Sequence, residues 1–201
     1  MAGMNTLILD MLAPNVAHGD GSDLRRAQTG DDLAFGRIVA EHEPLVLRTA
    51  WRLVGHREDA RDIAQEVFLR LHRHLRRIEP DRDLAPWLYR VTVNLGLTAL
   101  RRRRRKPESA LEDENRDLAA SAGSPEQERR GEAADARRLL ASVLGELSEK
   151  ERAAVVLRDL EGLDVREVAR ALGCRRGTVR THLCRGRLKL RTALEFRGGK
   201  A

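Results

Sequence analysis

The sequence predicts an all-α protein of two small helical domains joined by a flexible acidic linker, the C-terminal domain being a helix-turn-helix. Three observations lead there. Apolar residues recur at intervals of three and four through most of the chain, with no strand-like alternation of useful length. Charge falls into blocks: residues 1–106 hold 19 Lys/Arg against 14 Asp/Glu, residues 107–135 hold 3 against 9, and residues 136–201 hold 16 against 8. Two capping-box signatures, beginning at Ser148 and Asp164, punctuate the last third. A net charge of +7 over 201 residues thus conceals two basic blocks divided by an acidic one, a distribution suited to nucleic-acid-facing modules.

Residues 1–30, with their Gly, Asp and Pro, read as a flexible leader. Leu7 to Leu12 is briefly apolar, but no basic segment precedes it and Asp10 interrupts it. Nothing in the chain approaches the roughly 18 uninterrupted apolar residues of a membrane span. Neither export nor direct membrane insertion is therefore expected, and a reduced, cytoplasmic setting suits the two cysteines, Cys174 and Cys184.

The first domain is expected over residues 31–106. From Asp32 onward Phe35, Ile38 and Val39 share a face, and an apolar run from Leu45 to Val54 follows, with Trp51 inside it. The clearest amphipathic helix of this half carries Ala60, Ile63, Ala64, Val67, Phe68, Leu71 and Leu75 on one side. Its other side turns Asp62, Gln65, Glu66, Arg70 and Arg73 to water or to a partner. With 3 phenylalanines, 2 tryptophans and 1 tyrosine in the whole chain, the core must be mostly aliphatic.

Pro80 and Pro86 bracket a loop that exits into Trp87-Leu88-Tyr89-Arg90-Val91-Thr92-Val93-Asn94. Leu88, Val91 and Leu95 have helical spacing toward a core, which assigns Tyr89, Arg90 and Asn94 to a different surface. An aromatic ring beside Arg and Asn offers a π-face to a displaced base, worth roughly 1–3 kcal/mol per stacked base. Trp87 and Tyr89 are equally compatible with amphipathic packing at a helix start. Six cations then run from Arg101 through Arg102 and Arg103 to Lys106. If all met phosphates, the log-log salt slope of binding would reach roughly −4 to −5, an upper case because consecutive helical residues point around the whole axis. The alternative is a solvated run that complements a helix C-terminus.

Residues 107–135 form the acidic linker, opening with Glu108, Glu112, Asp113, Glu114 and Asp117 and holding too few apolar residues for a core. Its 29 residues reach about 95 Å when extended. A relaxed coil of that length spans about 30 Å, close to one turn of DNA at about 34–36 Å. Two domains so joined can occupy separate grooves, and the acidic segment can fold back on the basic modules when DNA is absent.

The second domain is expected over residues 136–197. Ser148 and Glu151 form the first capping box, and Ala153, Val156, Leu157 and Leu160 make an apolar stripe that ends at Gly162. Asp164 and Glu167 repeat the cap, Val165, Val168, Ala169 and Leu172 turn inward, Gly173 supplies a sharp turn, and Cys174 stands at the next helix boundary. Val179, Leu183, Gly186 and Leu190 keep one face of that last helix packed. Arg175, Arg176, Thr178, Arg180, Thr181, His182 and Arg185 stay on the open side, as a recognition helix entering a major groove requires. A bidentate Arg–guanine contact contributes about 1–3 kcal/mol of discrimination.

The order of these motifs resembles the sigma-70 superfamily, in particular the small extracytoplasmic-function sigma factors that keep conserved regions two and four. Asp59-Ala60-Arg61-Asp62-Ile63-Ala64-Gln65-Glu66-Val67-Phe68-Leu69 looks like the part of region two that docks on core RNA polymerase. The resemblance implies contact there through Asp62, Gln65 and Glu66, with Arg70 on the same face. Trp87 to Asn94 looks like the promoter-melting part and Asn94 to Arg105 like the part that recognises the −10 element. Leu160-Glu161-Gly162-Leu163, Val168-Ala169, Leu172-Gly173 and Gly177-Thr178-Val179-Arg180 resemble region four, whose second helix reads the −35 element. The implied role is a non-catalytic initiation subunit that binds core polymerase and promoter DNA, needs no cofactor, and commonly answers to an anti-sigma factor. Departures from the family pattern are Thr98 in place of an acidic residue, Pro86 ahead of Trp87, Cys174 at the usual small hydroxyl cap, and His182 with Cys184 in the second helix.

Three other functions compete with this one. A two-module helix-turn-helix regulator without sigma activity would keep the helix-turn-helix but need neither melt DNA nor bind core polymerase. An enzyme is disfavoured, because the 6 histidines form no His-Glu-x-x-His motif and no Gly-rich phosphate loop is present. A metal or redox switch on Cys174, His182 and Cys184 has only three ligands at a spacing unlike known zinc sites.

Overall fold

The computed structural model describes residues 21–80, 83–105 and 138–198, with side chains to residue 195, and every regular element among them is helical. The order is α1 (Gly21–Gln28), α2 (Asp32–Val54), α3 (Arg57–His74) with a 3-10 turn at Leu75–Arg77, and α4 (Ala85–Arg105). A helix over residues 138–145, α5, begins the C-terminal half. It is followed by α6 (Glu149–Val155), which widens into a π-type turn at Val156–Leu160, then α7 (Val165–Leu172) and α8 (Arg176–Gly198).

In the N-terminal half α2 is the central helix and packs on α1, α3 and α4. It starts at Asp31, whose carboxylate accepts the Ala34 amide, and stops at Gly55, which has φ 73° and sends its N–H to the Trp51 carbonyl. Asp32 and the Leu45–Val54 run therefore belong to one helix that passes straight through Pro44. The apolar side of α3 is buried as its periodicity requires, from Ala60 to Leu71.

The leader expectation fails for its last third. Gly21–Gln28 is a helix whose Leu24 and Ala27 enter the core. Asp23 accepts both Nε and Nη2 of Arg37, and the Gln28 amide donates to the Leu75 and Ile78 carbonyls at 2.9 and 2.6 Å. Two buried apolar residues suffice because these polar contacts fix the helix to α2 and to the end of α3. Residues 1–20, Lys106 and the acidic linker at 107–135 lie outside the described residues.

The C-terminal half follows its capping signals closely. Both boxes are complete: Ser148 with Glu151, and Asp164 with Glu167, each exchange a side-chain and a backbone hydrogen bond. Gly162 and Gly173 take φ of 77° and 60°, the left-handed region in which an L side chain is strained. One boundary shifts. The Val179 amide bonds the Arg175 carbonyl, so Arg175 rather than Cys174 is the cap of α8, and the Cys174 amide closes the preceding turn on Ala169. Helix α8 crosses α6 closely at Gly186, where a Cβ would stand 2.9 Å from Val155 Cγ2.

The two halves are in contact. Helix α4 packs against α6 and α7, and α2 against the π-type turn. The buried apolar residues form a continuous cluster from Leu24 to Leu183.

Candidate nucleic-acid interface

Helix α4 presents less of its aromatic start than the spacing predicts. Leu88, Tyr89, Thr92, Val93, Gly96 and Leu97 are buried, whereas Val91 and Leu95 are half-buried. Tyr89 is therefore a correction: only 6% exposed, it donates its hydroxyl to Glu161 Oε2 at 3.2 Å. The reason is that α4 is covered from two sides, by α2 of its own half and by the C-terminal half. Burial, then the neighbouring Glu161 carboxylate, pushes the Tyr89 phenol well above its usual range. Trp87 is half-buried, its ring centroid 6.4 Å from that of His74. Arg90 and Asn94 are exposed on the other side, and the Thr98 hydroxyl donates to the Asn94 carbonyl at 2.8 Å. Arg101, Arg102 and Arg103 are exposed, with Arg101 reaching Glu149 of α6 at 3.4 Å.

On α3, Asp62 and Gln65 are exposed, and half-buried Glu66 accepts from Arg70 Nε at 2.7 Å. The structure thus gathers Asp62, Gln65, Glu66 and Arg70 on one polar strip, next to exposed Leu69. The open side of α8 is equally continuous: Arg175, Arg176, Thr178, Arg180, Thr181 and Arg185 are all exposed, over buried Val179 and Leu183. The α8 shaft is held down by Lys189 to Glu151 at 2.7 Å and by Arg187 to Asp159 at 2.6 Å. Burial alone would raise the Glu151 carboxyl, but Lys189 and the Ser148 amide outweigh it and hold it below its ordinary value. Burial keeps Cys174 protonated by raising its thiol pKa, and it lowers that of His182, with Lys150 adding to the effect. Among the described residues no three His, Cys, Asp or Glu side chains are grouped to hold a metal ion. No helix among them is long and apolar enough to cross a membrane.

Residues 38–106 match the family Sigma-70 region 2, and residues 137–190 match the family Sigma-70, region 4. The RNA polymerase sigma-H factor of Pseudomonas aeruginosa is 30% identical over 179 residues, covering 86% of this chain and 92% of that protein. The ECF (extracytoplasmic-function) RNA polymerase sigma-E factor of Escherichia coli is 32% identical over 171 residues, covering 82% of this chain and 88% of its own length. The chain is an extracytoplasmic-function sigma factor. SigE of Mycolicibacterium smegmatis is 38% identical over 169 residues, which are 83% of this chain but 65% of that longer protein. Among solved structures, CnrH in complex with the cytosolic domain of CnrY superposes with a TM-score of 0.62 at 27% identity, covering 88% of this sigma factor and 97% of that chain. Family membership decides against the regulator lacking sigma activity.

What the sequence analysis missed is a charged cluster joining the two halves of the sigma factor. Glu161, at the end of the π-type turn, meets Arg52 Nη1 at 2.7 Å and Arg48 Nη2 at 3.1 Å, both from α2. The side chains of Glu161 and Arg52 are 0% and 2% exposed. Burial pulls the Arg52 guanidinium pKa down against the pull of Glu161. Arg152 of α6 donates to the Leu53 carbonyl at 2.7 Å. One signal was available: Arg48 and Arg52 interrupt the Leu45–Val54 apolar run at helical spacing, and buried cations demand partners.

Proposed function

We propose that this sigma factor directs bacterial RNA polymerase core to a subset of promoters and helps open their −10 region through three separate surfaces. The α3 strip of Asp62, Gln65, Glu66 and Arg70 binds core polymerase. Trp87, Arg90, Asn94 and the exposed Arg101, Arg102 and Arg103 of α4 recognise the −10 element and trap unpaired bases, whereas buried Tyr89 supports α4 from inside. The outer face of α8, Arg175, Arg176, Thr178, Arg180, Thr181 and Arg185, reads the −35 element. The observation that carries this reading is the placement of one polar strip and two cationic faces on three helices, each backed by its own buried stripe.

The work is binding energy coupled to strand opening, with bond chemistry left to the polymerase. Capturing an unpaired base offsets the cost of unstacking it. Two tethered DNA contacts raise each other's effective concentration. Control by an anti-sigma factor, implied by the family, belongs to the same reading, and the similar CnrH was solved with a protein partner, the cytosolic domain of CnrY. Alanine at Gln65 and Glu66 should weaken capture of purified core by about tenfold or more, the scale of an interface hot spot. Alanine at Trp87 should spare capture and lower open-complex formation by roughly 5- to 150-fold, the loss of one stacked base. The reverse pattern would overturn both assignments.

A further inference from the structure

We propose that Gln28, the last residue of α1, is a positioning residue for strand opening: its side-chain amide grips the turn that ends α3 and so sets the surface on which Trp87 presents its ring. Nε2 of Gln28 carries two hydrogens, and two backbone acceptors face it, the Leu75 carbonyl at 2.9 Å and the Ile78 carbonyl at 2.6 Å. Two carbonyl oxygens can be met only by donors, so the orientation of the amide is fixed. The contacts reach across 47 and 50 positions of the chain, from a side chain that is itself half-buried.

The gripped turn lies where a helix leaves carbonyls over. Helix α3 passes at Leu75 into its 3-10 turn, and the Ile78 amide folds back on the Leu75 carbonyl at 3.2 Å. Carbonyls in the last turn of a helix have no partner further along it. At Ile78 the backbone becomes extended, with φ −89° and ψ 131°, and the chain departs for α4. Gln28 therefore holds both the first residue of the turn and its exit. Helix α1 is itself anchored, because Leu24 and Ala27 are buried in the core and Asp23 bridges to Arg37 of α2 at 2.6 Å.

The same turn adjoins Trp87. His74 immediately precedes Leu75, and its ring centroid lies 6.4 Å from that of Trp87. On the other side Asp83 accepts the Ala85 amide at 2.9 Å and caps the start of α4, two residues before Trp87. The indole is thus set from two directions, by His74 beside the gripped turn and by the capped start of its own helix. A ring that stacks an unpaired base binds it better when held in place beforehand, since ordering it on arrival weakens the contact. This consequence rests on the role given to Trp87 in the proposed function.

The test uses the full chain carrying Gln28→Met, which keeps the stem and removes the donors, and separately Gln28→Glu, whose carboxylate would face two carbonyl oxygens. Capture of core polymerase through α3 should be unchanged for both; reduced capture would overturn a role confined to opening. On promoter fragments selected with core polymerase, opening detected by permanganate should fall by about three- to tenfold, the factor carried by one lost hydrogen bond. In a Trp51→Phe background, which leaves Trp87 as the sole tryptophan, acrylamide should quench its fluorescence more steeply. Combined with Trp87→Ala, Gln28→Met should cost no further opening, because both residues act through one ring. Circular dichroism reports whether each variant keeps its helices, so that if one fails to fold the other decides. Full opening in folded variants would overturn the proposal, and so would an added loss in the double variant, which is what a merely stabilising contact gives. Opening left intact by Trp87→Ala alone would count against the proposed function, whereas unchanged acrylamide quenching in the Gln28 variants would separately overturn the grip on Trp87.

Discussion

Tyr89 shows how a single side chain changes meaning between sequence and structure. Helical spacing placed it beside Arg90 and Asn94, yet it lies among Leu88, Thr92 and Val93 and faces Glu161, Arg48 and Arg52. Periodicity within one helix cannot reveal this, because the second cover comes from the other half of the chain, with Glu161 standing 72 positions later. A testable consequence follows from its phenol. Burial first and Glu161 second raise its pKa in the folded chain above the reference of 10.0, with Arg48 and Arg52 opposing. The linked stability is fully present below that reference and is lost as pH rises beyond it, because the unfolded chain releases the proton first. Near-ultraviolet phenolate absorbance should therefore stay absent in the folded chain past the reference pKa and appear together with unfolding. A smooth titration near the reference value in a chain that keeps its helices would contradict this burial.

Among the elements, legibility followed the range of the interactions involved. The two capping boxes, the left-handed Gly162 and Gly173 and the buried stripe of α3 were readable because each is settled within a few residues. Helix α1 was not, since only Leu24 and Ala27 are buried in it and its anchors Arg37, Leu75 and Ile78 are distant in sequence. The π-type turn at Val156–Leu160 left no pattern either, although it places Glu161 where α2 can receive it. Gly186 belongs to the readable set, and its close approach to α6 gives a sharp expectation. Gly186→Ala should destabilise the C-terminal domain by about 1–3 kcal/mol, the scale of overpacking against Val155. Thermal unfolding followed by circular dichroism would register the change. Duplex affinity should fall with it, while core capture through α3 stays intact; an unchanged midpoint would mean that the α6–α8 crossing relaxes freely.

At the scale of the whole molecule, the sequence anticipated two DNA-facing domains joined by an acidic tether, and the described residues add a direct polar contact between the two halves. The exposed polar faces of α3 and α8 were legible because each lies over a packed apolar stripe of its own helix. The interdomain cluster was not, because Glu161 sits among turn residues whose local grammar explains them completely. Glu161→Ala would strand the buried Arg52 guanidinium at a cost of about 3–5 kcal/mol, a loss that thermal unfolding would register. The account turns on a division of labour in which α4 takes unpaired bases, α8 takes paired DNA and α3 holds the polymerase. Permanganate reactivity of thymines, measured on promoter fragments selected by this chain together with core polymerase, tests that division most directly. Reactive thymines confined to a short bubble downstream of the segment protected by α8, and absent without core enzyme, are the predicted result. Protection of intact duplex alone, with no reactive thymine when core enzyme is present, would contradict it.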